Sequence, residues 1–75
     1  MQRMTKQSRE NVKAAIEARV HLMAGAFTVE LIGASGARAW VSCPDGPVRY
    51  HSYELARRAV RRLAPKLPTS PVANI

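Results

Sequence analysis

Seventy-five residues suffice for one small domain and no more. A chain of this size buries only about 60% of the surface its unfolded form exposes, so its stability amounts to several kcal/mol and an enclosed catalytic cavity has little room. Twelve Lys and Arg against five Asp and Glu give a net charge of +7, and most of the cations are arginine, whose planar fork suits phosphate or carboxylate partners. No apolar run approaches the roughly 18 residues of a membrane span, and the polar N-terminal stretch does not read as a secretory signal. Cys43 is the single cysteine, which excludes an internal disulfide, fits a cytoplasmic chain and suits a buried small hydrophobe.

Residues 1–7 read as a flexible basic lead. From Ser8 to Ala24, Val12, Ile16, Val20 and Met23 recur at i, i+4, i+8 and i+11, which predicts an amphipathic helix with Lys13, Glu17 and His21 opposite and Gly25 as its C′ residue. Arg19 falls near the centre of that apolar face, where it snorkels to the rim or meets a second copy of the chain; Glu30 is the alternative internal partner. From Ala26 the period becomes two, with Phe27, Val29 and Leu31 on one face and Thr28 and Glu30 on the other. A Gly33–Gly36 turn leads to a second strand over 37–43, where Ala37, Ala39, Val41 and Cys43 alternate with Arg38, Trp40 and Ser42. Pro44, Asp45, Gly46 and Pro47 make a dense turn and permit a short third strand at 48–51.

Ser52 is placed to cap a second helix, with Glu54 in its first turn. Leu55, Ala56, Ala59, Val60 and Leu63 form its apolar stripe, and Pro65 stops it. Residues 66–75, with Pro68 and Pro71 and no periodicity, read as a disordered tail. The expected fold is therefore a single small α+β domain over 8–65 in the order α-β-β-β-α, a three-stranded antiparallel sheet with two helices on one face.

Chemistry concentrates on the second helix. Arg57, Arg58, Arg61 and Arg62 occupy the arc opposite its apolar stripe and repel one another at i, i+4, with Glu54 the one acid placed to offset them. A face meant only for solvation mixes signs, so this one points to an anionic partner, either a phosphate backbone or an acidic protein surface. The helix has no aromatic anchor for a membrane surface, and its stripe is needed for the core. Arg38 and Trp40 form a second candidate patch on the outer sheet face, able to stack a base, to anchor a protein or simply to cover the sheet. His21 and His51 have no ligand-spaced partners, so no metal site is expected. Ser35 lies in a hairpin turn and not in a nucleophile elbow. No catalytic group or cofactor is expected, and the chain is read as a non-enzyme.

The element order resembles that of the double-stranded-RNA-binding domain. That family's Lys-Lys-x-Ala-Lys at the second helix would fall on Tyr53 to Arg57, where Ala56 and the basic Arg57 agree. The likeness is architectural and carries no function. The expected function is a small nucleic-acid-binding accessory or regulatory protein. The alternatives are a protein-binding inhibitor or adaptor, as phages and mobile elements encode against host complexes, and a structural subunit. The small core, Arg19 and the outward Trp40 leave room for a homodimer.

Overall fold

Thr5 begins the first helix as its N-cap, its hydroxyl accepting from the Ser8 N–H at 3.0 Å, and helix α1 follows over Lys6–Ala14. In the computed structural model, which describes residues 3–72, α1 is short, and only Ser8 and Val12 of it are buried. The Ser8 hydroxyl accepts from the Ser42 N–H at 2.7 Å, and the Thr5 N–H donates to the Ser42 carbonyl at 2.9 Å. These bonds tie the chain start to the sheet, and Met4 packs against the core. The reading of 1–7 as a flexible lead meets a helix that already begins at Lys6, with Thr5 and Met4 bonded or packed onto the domain; Met1 and Gln2 lie outside the described residues.

The predicted helix over 8–24 is half helix and half strand. Strand β1 occupies Ala15–Met23, with Ala18 and Val20 buried and Glu17, Arg19 and His21 facing the other way. A spacing of four is a multiple of two, so Val12, Ile16 and Val20 satisfy both periods. The strict alternation of apolar and charged residues over 16–22 is the feature that identifies a strand. A bulge between Ala15 and Glu17 throws Ile16 outward, leaving it 54% exposed.

Strand β2, Ala26–Gly33, pairs antiparallel with β1, setting Val20 opposite Val29 and Ala18 opposite Leu31. The loop between them is two residues, Ala24 (φ 50°) and Gly25 (φ 77°), the positive-φ pair of a type I′ hairpin. Gly25 is thus a hairpin residue and not a helix C′. Ala24 bears the left-handed strain that a Cβ imposes. Ala24→Asn supplies the favoured Asn-Gly pair and should gain about 0.5–1 kcal/mol, roughly 4 °C in a thermal melt. An unchanged or lower melting temperature would refute that strain.

Strand β3 is short, Arg38–Trp40, and pairs with β2 beyond the expected Gly33–Gly36 turn. The chain then leaves the sheet through a small hairpin of β4 (Ser42–Cys43) and β5 (Gly46–Pro47) around Pro44 and Asp45. The expected strand at 48–51 is reduced to one bridge, in which Tyr50 exchanges both backbone hydrogen bonds with Phe27 at 2.8 and 2.9 Å.

Ser52 caps α2 (Tyr53–Leu63) as expected, its hydroxyl accepting from the Leu55 N–H at 3.1 Å. Beyond Pro65 the chain turns back. Leu67 is 6% exposed in the core, and β6 (Thr69–Pro71) pairs parallel to β1. Where the sequence reads as a disordered tail over 66–75, the structure has an edge strand at Thr69–Pro71, and prolines are tolerated there because an edge leaves donor positions unpaired. Residues 73–75 lie outside the described residues.

The result is an α+β fold with a four-stranded sheet in the order β3-β2-β1-β6, antiparallel except for β6, one strand more than expected. Both helices cover the face carrying Ala18, Val20, Val29 and Leu31, closing the core with Val12, Ala56 and Val60. Among the described residues no helix is long and apolar enough to cross a membrane.

Candidate anion-binding groove

The apolar stripe of α2 is pulled onto the sheet through Ala56 and Val60, both fully buried, which turns the arginines outward. Their partners divide them into two pairs. Arg57 reaches Glu54 at 3.4 Å, and Arg61 donates from Nε (3.2 Å) and Nη2 (2.8 Å) to the Pro65 carbonyl beyond the helix end, where cations complement the exposed carbonyls. Arg58 and Arg62 meet no carboxylate within 4 Å among the described residues. Internal contacts account for Arg57 and Arg61 but not for Arg58 and Arg62.

Arg58 and Arg62 form one wall of an open groove of about 950 Å3 between α2, the start of the chain and the segment after β5. Arg3, Arg9 and Arg49 stand around the rest of it, with His51. Arg9 donates to the Met4 carbonyl and Arg49 to the Ala24 carbonyl, each at 3.0 Å, so these two guanidiniums are positioned by backbone acceptors. Val48, Tyr50, Leu55 and Leu63 line the apolar part. Leu55 is 43% exposed despite its place in the α2 stripe. Among the described residues, no Asp or Glu lines the groove. Burial pushes the Tyr50 phenol above its ordinary value, with a smaller contribution from Cys43, so the hydroxyl is neutral at physiological pH.

Arg38 and Trp40 do not join this site. They lie on the opposite face of the sheet, in register with Ile32 and Glu30. There Trp40 meets the His21 ring edge-on at a centroid distance of 5.2 Å, while Glu30 holds His21 at 3.0 Å and Arg38 at 3.5 Å. Arg19 belongs to this outer face as well, paired with Glu17 at 2.9 Å. It is neither a snorkelling helix residue nor partnered directly by Glu30, and Glu17 and His21 are not a helical i, i+4 pair. The outer patch is a network of mutually satisfied charges around an aromatic pair.

The alignment of arginines on α2 was legible from helical periodicity. Arg3, Arg9, Arg49, Tyr50 and His51 were not, because they come from separate segments that only folding brings together. Among the described residues no three His, Cys, Asp or Glu side chains stand close enough to hold a metal ion. No protein-family model matches the chain, and no curated protein or solved structure matches it.

Proposed function

We infer that this is a small nucleic-acid-binding accessory or regulatory protein that grips phosphates with the arginines of α2 and of the adjoining groove. The observation that carries this reading is the convergence of five arginines from three parts of the chain on one groove whose lining, among the described residues, includes no Asp or Glu. Like charges held together in this way repel, and a polyanion relieves that repulsion while releasing its own counterions. Rigid placement on a capped helix favours several phosphate contacts at once. The runner-up is an inhibitor or adaptor that docks on an acidic protein surface, which the exposed Leu55 at the groove favours.

Salt dependence tests the first reading. Nucleic-acid affinity should fall by about 0.9 log units per log unit of salt for each duplex phosphate neutralised. Arg58→Gln with Arg62→Gln should reduce that slope by roughly two and weaken binding equally across sequences. The fold should survive, because neither side chain has a carboxylate partner among the described residues and their removal relieves repulsion. A variant that keeps the full slope but loses a protein partner would replace this reading with the adaptor. If both activities persist, the arginines are a solvated face.

A further inference from the structure

We propose that the groove beside α2 holds an unpaired nucleotide, so that the ligand of this protein is single-stranded nucleic acid in preference to duplex. The inference rests on the nucleic-acid reading above and adds to it the form of the ligand.

Phosphates alone would be served by the outward side of α2, a convex surface suited to a duplex backbone. The groove presents something different. Its arginines stand around an apolar lining of Leu55 and Leu63 with the Tyr50 side chain, and His51 stands beside them. In a duplex the apolar faces of the bases are stacked inside and cannot reach such a lining. An unpaired base can be splayed out, and it offers a flat apolar face to aromatic rings and guanidinium planes alike. A basic groove that tracks a backbone, interrupted by side chains on which bases stack, is the arrangement that binds single strands with little regard to sequence. At about 950 Å3 the groove is at the upper end of the roughly 300–1,000 Å3 of ligand pockets, so a base and its sugar fit with the flanking phosphates on the arginines. Charge complementarity selects the occupant: an apolar peptide offers no anion to Arg58 and Arg62, which meet no carboxylate among the described residues, and a polyanion without a flat apolar group would leave Leu55 exposed.

The test is fluorescence anisotropy with an unstructured oligonucleotide, as DNA and as RNA, against a hairpin duplex with the same number of phosphates. Single strands should bind about tenfold more tightly than the duplex, the DNA and RNA arms showing which sugar is preferred. Tyr50→Leu, which keeps apolar bulk, and His51→Ala, at an exposed position, should each weaken single-strand binding by about fivefold or more. Neither should change duplex binding. His51→Ala keeps the test decisive if Tyr50→Leu disturbs the core. Duplex binding as tight as single-strand binding, or single-strand affinity indifferent to both substitutions, overturns the proposal while the salt slope upholds the nucleic-acid reading. If neither oligonucleotide binds at low salt and a Glu-rich, leucine-containing peptide does, both readings fall.

Discussion

Leu67→Ala should lower the melting temperature by roughly 10–20 °C, and deleting residues 67–75 should leave the chain unfolded at 37 °C. Truncating a buried leucine costs about 2–5 kcal/mol, and in a domain of this size each kcal/mol is worth about 4–8 °C. Leu67 is 6% exposed, in a core whose largest fully buried side chains are all valines: Val12, Val20, Val29, Val41 and Val60. So small a core has few contacts in reserve. The deletion removes more than Leu67. The Ala18 N–H donates to the Pro68 carbonyl and the Val72 N–H to the Val20 carbonyl, each at 2.8 Å, and the Tyr53 hydroxyl donates to the Thr69 carbonyl at 3.3 Å. Without β6 the edge of β1 is left unpaired, a template for aggregation. Thermal melts followed by circular dichroism decide the matter. A deletion variant melting within about 3 °C of the full chain would show that β6 contributes nothing.

Glu30→Ala should cost about 2 kcal/mol, from the loss of the carboxylate's hydrogen bond with His21 and its ion pair with Arg38. Its side chain is only 13% exposed, with one oxygen on His21 Nε2 and the other facing Arg38 Nη1, and Arg19 lies opposite it in the β1–β2 register. Removing this carboxylate leaves three cationic or cation-forming groups crowded on one sheet face, and truncating one partner of a half-buried pair costs more than the pair is worth. Glu30→Gln, which keeps the shape and loses the charge, should cost less. Because this face is opposite the groove, oligonucleotide affinity should be unchanged in both variants. Chemical denaturation measures the stability arm and anisotropy the binding arm. Stability unaltered by Glu30→Ala would mean that the outer network is solvated, and affinity lost together with the network would bring Arg38 and Trp40 back as binding residues.

Local features of the sequence were sufficient for α2, its Ser52 cap, its Pro65 stop, the Gly33–Gly36 turn and the outward arginines. Each of these depends on neighbours within one or two turns of chain, where capping, periodicity and ring constraint act directly. They were not sufficient for β1, since Val12, Ile16 and Val20 fit a helix as well as a strand. What decided it was pairing with β2, which gives Ala18 and Val20 partners in Leu31 and Val29, and propensity yields to such burial. Nor could local pattern place Leu67 and β6, whose prolines read as disorder until the free edge of β1 is present to pair with them. The groove is the extreme case. Arg3 and Arg9, Arg49, and Arg58 and Arg62 come from three separate segments of the chain, and their meeting on one side of an apolar lining follows from where α1, α2 and the segment after β5 pack on the sheet. Charge in a sequence states how many cations there are; only packing against a common core determines which of them share a surface and which are neutralised by a neighbour.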